Sequence, residues 1–340
     1  MNKESHSPGK FFVAGAVYLG FAIYLYQPYL ANFNKWQYLL IANPSLASLG
    51  CYVLSRRWVS SSIGSFFAGA IYGFGPFMLG LAKFHPTAGF LSATIPWLFC
   101  PAALGVGTKR HLSIPLSVIP FAAILLFFQV SVHYRLFAIP SQAKLHLADL
   151  FGLFAPLVGV KQGLTPVGFY HIPVAPLVMG LSMLLAARRT GIMTILAVSV
   201  VLAFCSSFLN VSPIMWLTIA VLCCSILIGA GTQGLILAGF ADRKWVLAIA
   251  GICGSLAIAA LLLATKYFQT FLGLAAGYGR VFTETGKMYT LGAVVMLVIF
   301  FLIQVKLRAE RRLPIRAILL SLGMGVDIFL GARFIVDRLI

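Results

Sequence analysis

A single carboxylate interrupts the last apolar stretch of this chain. From Ala317 to Val336 the only polar residues are Ser321, Asp327 and Arg333. A helix entering a membrane at Arg316 carries Asp327 about 16 Å inward, near the middle of the hydrocarbon. A charged side chain there costs roughly 2.5 to 3.5 kcal/mol on insertion scales, so Asp327 is expected to face the protein interior and to be paired or protonated. Arg333 falls on the wrong side of the same helix, so a partner has to come from another segment. A buried group of this kind serves an ion, a proton or a substrate; the alternative is a satisfied structural residue. Asn43, Gln129 and Gln233 are the other uncommon polar groups inside apolar runs. Amides bridge membrane helices for about 0.6 to 2 kcal/mol each. Asn43 and Gln233 join Asp327 as candidates for lining a substrate or ion pathway.

Histidine supplies the second constellation. The six histidines all precede residue 172, and His133, His146 and His171 are expected at or near one outer face, with His85 close by. Asp149 stands three residues after His146, so on a helix the two share a face. Histidine and carboxylate are ligands for zinc and similar metals, and facing histidines can hold haem iron. Convergence of His133, His146, Asp149 and His171 is therefore a specific expectation for a metal or haem site. Against it, no HxxxH, HExxH or CxxCH pattern occurs, and histidine is at ease at a membrane interface. A hydrogen-bonding or proton-transferring role for one of these histidines fits better, and no cofactor is expected.

Several chemistries are excluded by what is missing. Only seven residues are acidic, and only Asp327 lies deep in an apolar run, so no carboxylate pair stands ready to hold Mg²⁺ for transfer to a lipid. There is no Walker A sequence, no Gly-rich dinucleotide loop on a strand and no GxSxG elbow. The six cysteines all lie inside apolar runs, without a CxxC pair, and read as small apolar residues.

The elements that must position these groups are membrane helices. Hydrophobic residues make up 61% of 340 and charged residues 9%, far below the roughly 25% charge of a soluble domain. The expected fold is all-α: a single polytopic integral membrane domain over 1–340 with about eleven transmembrane helices. The spans lie near 11–30, 37–55, 59–82, 87–107, 113–133, 171–187, 191–209, 213–233, 245–265, 289–305 and 317–336. Basic clusters follow every second run: Arg56-Arg57, Lys109-Arg110, Arg188-Arg189, Arg243-Lys244 and Lys306 to Arg316. Short Lys/Arg-rich loops resist translocation, so the N-terminus is expected in the cytoplasm and the C-terminus outside. Met1 to Lys10 reads as a polar lead-in to the first span rather than a cleaved signal, because no clear A-x-A cleavage site follows. A bacterial inner membrane is the simplest home for such a chain. The formal charge of +18 is then explained by anionic lipid headgroups at the basic loops, not by nucleic acid.

Breaks and echoes add detail. Asn43-Pro44, Gly75-Pro76, Pro96, Pro101, Pro115, Pro120, Pro173 and Pro176 fall within spans, where proline removes a backbone bond and kinks the helix. Transporters use such breaks at substrate sites. Between 213 and 240 the glycine-rich run from Gly229 to Gly234 either ends a helix or opens a re-entrant segment. Two outer interfacial segments are expected, near 134–170 and 266–288. Pro44 and Arg56 recur as Pro176 and Arg188 at an offset of 132, which would make 37–133 and 169–266 a weak parallel four-helix repeat.

Three functions fit this pattern. The first is a multi-pass transporter or permease for a small or lipid-like solute, with Asp327 as its binding or coupling charge. The second is a membrane-embedded enzyme acting on a lipid or isoprenoid at the outer histidines. The third is a non-catalytic subunit that binds other membrane subunits.

Overall fold

The computed structural model describes residues 8–33, 35–84, 86–105, 110–134, 145–161, 176–177, 179–181, 190–205, 208–209, 211–274, 277–305 and 309–339. Every regular element among them is helical, with one isolated antiparallel bridge between Phe208 and Val211. In chain order the α-helices are α1 (Pro8–Tyr26), α2 (Leu39–Ser55), α3 (Ser62–Phe74), α4 (Pro76–Phe84), α5 (Pro86–Gly105), α6 (Arg110–Tyr134), α7 (Pro156–Lys161), α8 (Thr190–Phe204), α9 (Pro213–Leu237), α10 (Arg243–Leu263), α11 (Lys266–Phe271), α12 (Tyr278–Gln304) and α13 (Ala309–Leu339). Short 3₁₀ turns lie at Gln27–Asn32, Lys35–Tyr38, Leu147–Leu153 and Phe240–Asp242.

Six stretches are long and apolar enough to cross a membrane: Gly9–Ala31, Ser62–Ala82, Pro213–Leu237, Phe240–Leu263, Tyr278–Gln304 and Leu313–Arg338. Four shorter apolar helices, Leu39–Ser55, Ala88–Pro101, Val118–Ser131 and Gly191–Phe204, fall under that length. Most of the expected span 171–187 lies outside the described residues, as do Arg188 and Arg189, which anchor the repeat offset.

The apolar sequence dictates helix because lipid offers no partner to an unpaired backbone group. Breaks occur where the side chains demand them. Gly75 is extended (φ −66°, ψ 157°) and Pro76 opens α4, so the expected span 59–82 is two helices end to end. Proline at the first helical position loses no bond that a helix start would make. By contrast Pro44, Pro96 and Pro101 sit inside continuous helices.

Three boundaries differ from the sequence expectation. The glycine-rich run 229–234 neither ends a helix nor turns back: α9 continues to Leu237, because small residues there let neighbouring backbones come close. The helix expected at 289–305 begins at Tyr278, so the polar stretch from Arg280 to Lys287 forms its first turns rather than part of an interfacial piece. Its charges are tolerable because Glu284 and Lys287 pair at 2.9 Å on an exposed face. Only α11 remains of the segment expected over 266–288, and it does present Tyr267 and Phe271 outward. It is followed by Gly273 and Gly277, which turn the chain at φ +61° and +92°, values that glycine adopts readily.

The bundle is built around α9, which packs against α2, α3, α5, α8 and α13. Along its most apolar window 89% of residues are buried, against 33% for α10 and 28% for α1. Gly64 of α3 and Gly229 of α9 meet face to face: a Cβ on either would lie 2.6 to 2.7 Å from the other's carbonyl oxygen. One turn further along, Gln233 uses the closeness. Its Oε1 accepts from the Ser60 and Ser61 amides (2.9 and 3.3 Å) and its Nε2 donates to Ser60 Oγ (2.7 Å). Ser61 Oγ in turn accepts from the Gly64 amide, capping α3.

Candidate functional site around Asp327

Asp327 lies inward because of the period of α13. Leu320, Met324, Ile328, Ala332 and Ile335 are buried and recur at three or four positions, while Ile318, Leu322, Val326 and Leu330 are exposed. Asp327 falls in the buried stripe and is fully inaccessible. Arg333 falls on the outer stripe, where it pairs with Asp337 at 3.8 Å, and Asp337 also accepts from the Tyr29 hydroxyl at 3.0 Å.

Cys253 of α10 and Tyr289 of α12 both lie within electrostatic reach of the Asp327 carboxyl. Each is itself buried. One acidic, one phenolic and one thiol group from three helices are therefore buried within electrostatic reach of one another. Neither Cys253 nor Tyr289 was singled out by the sequence. Cysteine in an apolar run looks like packing, and Tyr289 looks like the interfacial start of a span until α12 proves eleven residues longer.

The site has a cover. The Tyr289 hydroxyl donates to the carbonyl of Phe154, between the 3₁₀ turn Leu147–Leu153 and α7. Leu157 of α7 is buried with Val281 and Met288 of α12, and Phe334 of α13 packs against them. Hence the segment expected to lie along the membrane surface also packs over α12 and α13 beside Tyr289. On its other side Leu147 and Phe151 are strongly exposed, as an interfacial segment requires. At the opposite end of α13, Arg316 is buried and donates to Ala238 O (2.6 Å) and Leu302 O (3.2 Å). One guanidinium thus serves the carbonyl ends of α9 and α12, which their own helices leave unsatisfied.

The other candidates have other neighbours. Asn43 is buried in α2, where a Cβ on Gly89 of α5 would come within 3.1 Å of its amide nitrogen. Near it a polar seam joins α3, α5 and α9: the Tyr72 hydroxyl donates to Ser92 O (2.6 Å), and Ser92 Oγ meets Thr218 Oγ1 at 3.3 Å. Gln233 is committed to Ser60 and Ser61 by the three bonds described above. Gln129 donates to Leu209 O at 3.3 Å.

Of the outer histidine group, His171 lies outside the described residues. His133 is exposed at the end of α6. The closeness of His146 and Asp149 is real but is spent on the backbone: Asp149 Oδ2 accepts from the His146 amide at 2.8 Å, capping the 3₁₀ turn. Among the described residues no three His, Cys, Asp or Glu side chains form a group able to hold a metal ion. No protein-family profile, curated protein or solved structure matches this chain.

Proposed function

We propose that this chain is a multi-pass transporter of a small or lipid-like solute, with Asp327 as the group that changes charge during the cycle. The supporting observation is the complete burial of Asp327, with Cys253 of α10 and Tyr289 of α12 within its electrostatic reach. A buried carboxylate is costly at that depth, and a purely structural role could be filled by an apolar side chain without the cost. Protonated, it is neutral and compatible with a closed, dry pocket; ionised, it draws in a cation or a solute's positive group. The cover formed by residues 147–161 is the element whose opening would admit that solute from outside.

In this reading the chain crosses an inner membrane about eleven times, its N-terminus in the cytoplasm and its C-terminus outside. The six long helices and the four shorter apolar ones would supply ten of these crossings, and the span expected from the sequence at 171–187 the eleventh. The test is proton movement into proteoliposomes under an imposed membrane potential, read with an entrapped pH-sensitive dye across a panel of added solutes. Wild-type protein should carry a solute-dependent flux, and Asp327→Asn should lower it at least tenfold. Equal flux in the two proteins, at equal reconstitution, would remove Asp327 from the mechanism.

A further inference from the structure

A second feature, remote from Asp327, points to a specific lipid. Between the first turns of α1 and α3 the bundle opens into a groove of about 590 Å³, within the roughly 300 to 1,000 Å³ that sites for small molecules occupy. Its walls are apolar, with Val13, Val17 and Phe66 among them. Its polar lining comes from Lys10 and Ser62 at the helix starts and from Ser321 of α13. The groove exists because α1 is pinned to α3 further along. There the Tyr18 ring stacks on Phe66 at 4.9 Å and its hydroxyl donates to Phe66 O at 2.7 Å. From that pin toward Lys10 and Ser62 the groove is lined by both helices.

Charge gathers at the open end. Lys10 is exposed, and Arg56, in the α2–α3 turn, stands behind the lining residue Ser62: its guanidinium donates to Ser60 O (3.0 Å) and to Ser62 Oγ (3.4 Å). Ser62 itself lines the groove. From Gly9 to Val17 the apolar trough runs about 12 Å along α1, a depth suited to part of one acyl chain. A trough that is apolar along its length and cationic with hydroxyls at its mouth complements one kind of membrane molecule.

We propose that this groove is a site for a single anionic phospholipid, its phosphate held at Lys10, Arg56 and Ser62 and one acyl chain lying between α1 and α3. The site is independent of transport through Asp327. The experiment is native mass spectrometry of the delipidated full chain, titrated with phosphatidylglycerol or phosphatidylcholine of identical acyl chains. One phosphatidylglycerol should be retained in preference to phosphatidylcholine. Lys10→Gln should weaken its retention about fivefold, the weight of one basic residue at a lipid surface. Val13→Trp fills the trough from an exposed position and should reduce retention of both lipids, while Phe12→Trp, facing outward, should change neither. Equal retention of the two lipids by wild type, or equal effects of the two tryptophans, would overturn the proposal. So would a dimer that Val13→Trp dissociates while lipid retention stays unchanged, since a second copy would then be the occupant.

Discussion

Asp327 and Tyr289 make different contributions, and substitution separates them. Asp327→Asn keeps the shape and removes the ionisable group. The Tm of the purified protein should hold or rise, because a buried charge is a burden on the fold, while transport is lost. A fall of several degrees would assign Asp327 to structure instead. Tyr289→Phe removes the hydroxyl that donates to Phe154 O. The expected cost is about 1 kcal/mol of stability, with faster amide exchange confined to residues 147–161. Exchange unchanged in that segment would show that Tyr289 does not hold the cover. At this scale the sequence was informative about Asp327, because a carboxylate within a twenty-residue, mostly apolar stretch is conspicuous. It was silent about Cys253 and Tyr289, which belong to helices far apart in the chain and look ordinary within them. His146 and Asp149 show the converse: their spacing was legible, but the same spacing serves a backbone cap as well as a metal.

Among the elements, the α3–α9 contact is the one whose parts depend on one another. Gly64 and Gly229 allow the approach, and Gln233 ties the two helices with three hydrogen bonds. Gln233→Ala should cost about 1 kcal/mol, since it removes partly exposed hydrogen bonds whose Ser60 and Ser61 partners can turn to solvent. Gly64→Leu should do more damage, by forcing backbones apart before Gln233 can reach; denaturation midpoints of the two variants would rank them. Arg316→Lys keeps the positive charge but loses the fork that spans Ala238 O and Leu302 O. It should destabilise the protein by about 1.5 to 3 kcal/mol, and a neutral result would mean that charge alone matters there. The sequence marked Gln233 as a rare amide and Arg316 as one of a basic cluster. Neither reading revealed a carbonyl-capping or latching role, because the acceptors are backbone atoms of other helices and carry no residue signature.

Across the whole molecule, the helical membrane class was legible because lipid permits few alternatives, while the arrangement of helices was not. The apolar windows of α9 and α10 have mean hydropathies of 2.3 and 2.6, yet 89% of one and 33% of the other are buried in protein. Lipid tails are as apolar as leucine, so hydropathy cannot tell a central helix from a peripheral one. Sidedness can be tested directly. Cys205 is exposed, whereas Cys51, Cys100, Cys223 and Cys253 are buried. A membrane-impermeant maleimide should label Cys205 on intact cells, while a cysteine replacing Arg57 should react only after permeabilisation. The reverse pattern would invert the proposed layout.

Arg316 and Arg333, toward opposite ends of α13, have a consequence for where the protein can work. Arg316 and Arg333 are separated by about 26 Å of helix, a few ångströms less than the hydrocarbon slab of an average bilayer. A lipid environment that is too deep must thin around this helix or let Arg333 stretch outward, at a fraction of a kcal/mol per ångström of mismatch. The protein should therefore partition into thinner membranes. In bilayers of graded acyl-chain length its activity should peak at short chains, with lipid acting as a ruler that adjusts the tilt of α13.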